Sequence, residues 1–140
     1  VGNAGILVTK TLYRKSGDKK EFIIVDAGMN DLLRPSIYNA FHAVNPVVKK
    51  NKEKPIKADI VGPICESGDF LAADRYVPDF KSGDLIAIMS AGAYGFTMSS
   101  NYCSRLKPAE VMVKEDDFQI IRHRQEYEEL VKGESIPLFL

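Results

Sequence analysis

Short apolar runs alternate with clusters of turn residues along this chain. Ile6-Leu7-Val8-Thr9-Lys10-Thr11-Leu12-Tyr13 predicts a strand, Ser16-Gly17-Asp18 a hairpin turn, and Glu21-Phe22-Ile23-Ile24-Val25-Asp26 the return strand. A loop containing Gly28 follows over residues 27–33, and Pro35 suits the first position of a short helical turn over Arg34-Pro35-Ser36-Ile37-Tyr38. Residues 41–48 read as extended, with Pro46 pointing to a sheet edge, and the lysine-rich stretch 49–54 as a polar loop. Residues 57–61 predict another strand, while 70–76 fits a helical turn and a strand equally well. Ser82-Gly83-Asp84 marks a turn, and Leu85-Ile86-Ala87-Ile88-Met89 is a continuous apolar run of the kind a buried strand carries. Residues 91–95 form a loop. Residues 110–114 and 118–122 predict a hairpin around Glu115-Asp116-Asp117, and 125–132 a short helix ended by Gly133. The apolar tail 136–140 is expected to dock on another surface. Six to eight short strands with turns between them predict a mainly β fold, a Greek-key-like barrel or sandwich with short helices, one of them C-terminal.

Composition narrows the function classes. A chain of 140 residues, 45% hydrophobic and 27% charged, suits one globular domain with a real core. Nineteen basic and nineteen acidic residues cancel, which argues against non-specific nucleic-acid binding. The sequence offers no apolar run long enough to cross a bilayer and no signal-like start, so no membrane role is expected. Two cysteines without a disulfide framework point to a reducing, cytoplasmic setting. The chain opens without an initiator Met, which suggests a piece of something longer.

The chemistry concentrates in three places. In Gly62-Pro63-Ile64-Cys65-Glu66-Ser67-Gly68-Asp69, a thiol and a carboxylate stand side by side inside turn residues. A neighbouring carboxylate disfavours thiolate, so the pair reads as a proton donor rather than a nucleophile. The competing reading is a structural Cys beside a surface Glu, which wins for most cysteines. Arg34 and Tyr38, four apart on a helical turn, can share a face and bind a carboxylate; on spacing alone, a surface Arg packed on a Tyr ring is the commoner case. Tyr94 lies in a Gly-rich loop whose small residues let a backbone or a phosphate approach, or simply make a turn. His42 and His123 have no metal-ligand spacing, and no metal site is predicted. Cys65 with His42 is a weak candidate for a thiol-hydrolase pair.

Taken together, Val25-Asp26-Ala27-Gly28-Met29-Asn30-Asp31-Leu32-Leu33-Arg34-Pro35-Ser36-Ile37-Tyr38, the Cys65 turn, and Ala91-Gly92-Ala93-Tyr94-Gly95 with Met98-Ser99-Ser100-Asn101-Tyr102 resemble the diaminopimelate decarboxylase family. These are pyridoxal-phosphate enzymes of the alanine-racemase fold type, and the resemblance covers only the C-terminal part of their chains. Ornithine and arginine decarboxylases share the Cys turn but not the Arg-Pro-Ser-Ile-Tyr segment. Two positions depart from the family's usual Asn-Tyr-Asn-Ser-Arg-Pro: Cys103 replaces an amide and Leu106 a proline.

The resemblance implies conversion of meso-2,6-diaminopimelate to L-lysine, the last step of lysine biosynthesis. It implies Cys65 as the proton donor, Glu66 as receiver of the distal ammonium, and Arg34 and Tyr38 as binders of the distal carboxylate. Tyr94 would contact the pyridoxal 5'-phosphate phosphate and lie near substrate. The family's N-terminal (β/α)8 barrel carries the Schiff-base lysine, and such a barrel needs about 250 residues. Residues 1–140 therefore read as a C-terminal β-domain, inactive alone, from a homodimer whose sites are shared between subunits. A related ornithine- or arginine-type decarboxylase domain, or a non-catalytic β-barrel dimerisation or binding module, are the alternatives.

Overall fold

The computed structural model describes residues 1–18, 20–49 and 54–139, and the chain divides into two compact units, Val1–Ser99 and Ser100–Leu140. The first unit holds β1 (Leu7–Ser16), β2 (Glu21–Val25), α1 (Arg34–Tyr38), β3 (Val44–Pro46), β4 (Ile56–Val61), β5 (Phe70–Val77) and β6 (Leu85–Ile88). The second holds β7 (Glu110–Lys114), β8 (Asp117–Arg122) and α2 (Tyr127–Leu130).

The six strands of the first unit form one sheet in the order β3-β6-β1-β2-β4-β5. All pairs are antiparallel except β2 with β4. That parallel pair needs a crossover, and residues 26–55 provide it. The two end strands, β3 and β5, approach each other, so the sheet curls into a nearly closed barrel. Arg75 of β5 reinforces the closure. Its Nη1 donates to the His42 carbonyl at 2.6 Å, and its guanidinium lies 4.0 Å from the centre of the Phe41 ring. Pro46 sits on end strand β3, where a missing N–H does least harm. The ambiguous stretch 70–76 is strand β5, because it pairs with β4 from Val61–Phe70 to Ile56–Val77.

Ile23, Val25, Leu32, Ile60, Leu71, Val77, Phe80, Ile86 and Ile88 fill the interior. Full burial of each such side chain favours folding by roughly 1.5–3 kcal/mol. On β1 the faces do not follow hydrophobicity. Thr9 and Thr11 are buried, while Val8 and Leu12 face outward. Thr9 earns its place through polar contacts: its hydroxyl donates to Asp26 Oδ1 at 2.6 Å and accepts from the Ala27 N–H at 3.0 Å.

In the second unit, β7 and β8 form the expected hairpin, with Glu115 at φ 54° in the turn. The helix is shorter than predicted, Tyr127–Leu130, and starts on a capping box between Glu126 and Glu129. Ile136, Leu138 and Phe139 of the tail are exposed. The lysine-rich loop falls largely outside the described residues.

Candidate functional site

Strand directions bring the three chemical segments to one rim. Strands β2 and β6 both run antiparallel to β1, and β4 runs parallel to β2. The C-terminal ends of β2, β4 and β6 therefore lie at the same end of the barrel. The segment with Arg34 and Tyr38 follows β2, the Cys65 turn follows β4, and the Tyr94 loop follows β6. Strands β2 and β4 are neighbours, so the first two segments are adjacent; β1 separates Tyr94 from them.

The Cys65 turn is held from inside. Asp69 is buried, and its Oδ2 accepts the Ile64 N–H at 2.6 Å while its Oδ1 accepts the Met29 N–H at 2.7 Å. The Glu66 N–H donates to the Ile64 carbonyl at 2.8 Å, and the Glu66 carbonyl accepts from the Asp69 N–H at 3.0 Å. These bonds turn the backbone tightly enough to leave Cys65, Glu66 and Ser67 exposed at its tip. Glu66 Oε1 also accepts the Gly68 N–H at 3.3 Å.

Arg34 opens α1 and is half-buried, and Tyr38 closes it, exposed. Pro35 stands at the second position of the helix, one later than expected, and Asn39 ends the helix in the left-handed conformation at φ 51°. A Cβ on Gly68 would meet Ser36 Oγ at 2.7 Å, so the helix and the Cys65 turn pack directly on each other.

Tyr94 has φ 67° and an exposed ring. A non-glycine residue in the left-handed region costs of order 1 kcal/mol, and here no burial offsets it. The flanking glycines have a backbone explanation. Gly92 lies against Gly5, whose Cβ would meet Gly92 Cα at 2.5 Å, and a Gly95 Cβ would meet the Ala91 carbonyl at 2.5 Å. The small residues thus serve loop packing.

His42 is buried, with Nδ1 bonded to the Met89 carbonyl at 2.8 Å, while Cys65 is exposed. No contact joins them among the described residues, and nothing favours a thiol-hydrolase pair. His123 lies on an exposed stretch of the second unit. Among the described residues no group of His, Cys, Asp or Glu could hold a metal ion. Sequence reasoning missed Asp69 as a site-building residue. Its place at the end of a Gly-rich turn was a signal, but the partner loop at Met29 lies far away in sequence.

The family profile described as "Pyridoxal-dependent decarboxylase, C-terminal sheet domain" matches residues 2–92. The chain is 54% identical over 132 residues to a diaminopimelate decarboxylase of Aquifex aeolicus, with 94% of this chain and 31% of that protein covered. A diaminopimelate decarboxylase of Pseudomonas aeruginosa is 49% identical over 97% of this chain and 32% of its own length. Among solved structures, diaminopimelate decarboxylase from M. jannaschii in complex with L-lysine superposes with a TM-score of 0.93 at 34% identity, over 100% of this chain and 32% of that one. This chain thus spans about a third of the length of the curated relatives it matches.

Proposed function

The chain belongs to the pyridoxal-dependent decarboxylase, C-terminal sheet domain family, and from that premise we propose that it forms the C-terminal β-domain of a carboxy-lyase that converts meso-2,6-diaminopimelate to L-lysine. The observation that carries this reading is the gathering of the Arg34–Tyr38, Cys65–Glu66 and Tyr94 segments at one rim of the barrel. The relatives' names point to the same substrate, and the M. jannaschii structure contains L-lysine.

When bound, pyridoxal phosphate supplies a ring that delocalises the electron pair left as CO2 departs. The residues of this chain do the rest. Tyr94 would hold the cofactor's phosphate through its phenol. Arg34 and Tyr38 receive the distal carboxylate of the substrate, Arg34 as a fork and Tyr38 through its hydroxyl. Glu66 accepts the distal ammonium. With that end fixed, the Cα–carboxylate bond breaks, and the Cys65 Sγ–H returns a proton to Cα. Sγ then regains its proton from solvent.

The lysine that joins the cofactor belongs to the part of the enzyme these residues do not cover, and activity requires that part. The working unit is a homodimer, with the Cys65–Glu66 turn reaching the partner's site. Its exposure at the tip of a braced turn supports this arrangement. Both cysteines are free, which supports a cytoplasmic setting. No helix among the described residues is long and apolar enough to cross a membrane.

The test is steady-state kinetics on the full-length enzyme. Cys65→Ala should lower kcat by about 10²–10⁴-fold, the usual worth of a positioned proton donor, and leave KM within a few-fold. An unchanged kcat with a raised KM refutes the donor role.

A further inference from the structure

We propose that Asp69 is a positioning residue for this reaction, its buried carboxylate locking the Cys65–Glu66 turn to the loop that leads into α1. The inference rests on the function proposed above. Asp69 is only 4% exposed, and its two oxygens divide their work between its own turn and a loop forty residues away in sequence. Oδ2 takes the Ile64 N–H, immediately before Cys65, and Oδ1 takes the Met29 N–H, in the loop before Arg34. Its own backbone closes the turn, with the Asp69 N–H donating to the Glu66 carbonyl and the Asp69 carbonyl accepting from Gly62 N–H, both at 3.0 Å.

Two glycines make room for the carboxylate. A Cβ on Gly62 would lie 2.5 Å from Asp69 Oδ1, and one on Gly28 would lie 3.0 Å from the same atom. The space around the side chain is thus cleared from both segments at once. A carboxylate suits the task because each oxygen is an acceptor. Asparagine has one carbonyl oxygen, so its amide NH₂ would face one of the two backbone donors. Losing either bond leaves a buried N–H unpaired and frees the turn to shift. A misplacement of about 1 Å in a reacting group can cost on the order of 10²-fold in rate.

The experiment places Asp69→Asn in full-length enzyme with Cys65 intact and with Cys65→Ala. Kinetics on diaminopimelate are read beside the bound-cofactor absorbance. With Cys65 present, Asp69→Asn should lower kcat by about 10–10²-fold while cofactor absorbance is retained. In the Cys65→Ala background it should lower kcat by less than about two-fold further, because residues acting as a unit are non-additive. If Cys65→Ala is impaired and Asp69→Asn is silent, or if the two losses multiply, the positioning role is wrong and the proposed function stands. If Cys65→Ala keeps the parent kcat, the donor assignment fails and this inference fails with it. Should Asp69→Asn not fold, hydrogen exchange on the unmodified enzyme decides: slow exchange at both the Met29 and Ile64 amides supports the tie, and loop-like exchange at either overturns it.

Discussion

Replacing Arg75 with Met tests how the barrel closes. Arg75 ties end strand β5 to the segment that leads into β3, so its loss should be felt by the whole first unit. Its hydrogen bond to the His42 carbonyl is charge-assisted, and such a bond is worth about 1.5–3 kcal/mol. The contact with Phe41 adds less. That ring is 74% exposed, so the cation–π attraction belongs at the low end, roughly 0.5–1 kcal/mol. Against both stands the cost of partly burying the guanidinium, which pushes the Arg75 pKa below its usual value. Methionine escapes that cost and keeps most of the apolar stem. The balance is a loss of about 1.5–3 kcal/mol, read as a fall of roughly 10 °C in Tm for a unit of this size. Phe41→Leu alone should cost roughly 0.5–1 kcal/mol, and in the Arg75→Met background almost nothing, since only the guanidinium makes that ring special. Urea and thermal unfolding of the parent, both single variants and the double variant measure all three. An Arg75→Met chain within about 0.5 kcal/mol of the parent would refute closure by this residue.

Two further outcomes follow from the geometry. Cys103 sits at φ 54° and ψ 34°, a left-handed conformation that asparagine tolerates better than cysteine, so Cys103→Asn should stabilise the second unit by roughly 0.5–1 kcal/mol in thermal unfolding. Lys57 is raised above its usual 10.5 by the hydrogen bond from its ammonium to Asp74 and by that carboxylate's charge. A raised folded-state pKa means the contribution is fully present below pH 10.5 and fades as pH climbs through the folded value. The pair is exposed, so Lys57→Met should give a small, salt-screened loss that is constant at neutral pH and vanishes in strong alkali.

Much of the fold is local in origin and so was legible in the residues. Gly17, Pro35 and Pro46 act within a few positions of themselves, and the hairpin turn, the helical turn and the edge strand stand where they predict, whereas the last helix, expected to run to Gly133, ends at Leu130. The helix-or-strand ambiguity at 70–76 had a different cause. That segment becomes a strand through pairing with β4, and pairing is a property of two segments. The buried Thr9 and outward Val8 run against alternation by hydrophobicity for the same kind of reason: Asp26 and Ala27, on another strand's end, provide the polar partners that make Thr9 the better inner residue.

The candidate site divides along the same line. Cys65, Glu66, Arg34, Tyr38 and Tyr94 could be singled out from residue type, spacing and resemblance, because turn chemistry and motif are written in contiguous residues. What the linear chain could not disclose is that their segments follow three strands running the same way, or that Asp69 reaches Met29 across forty residues. The sequence by itself determined which candidate groups this chain offers. The tertiary structure alone decided that they share a rim, because strand direction and long-range hydrogen bonds are set only when separate segments pair.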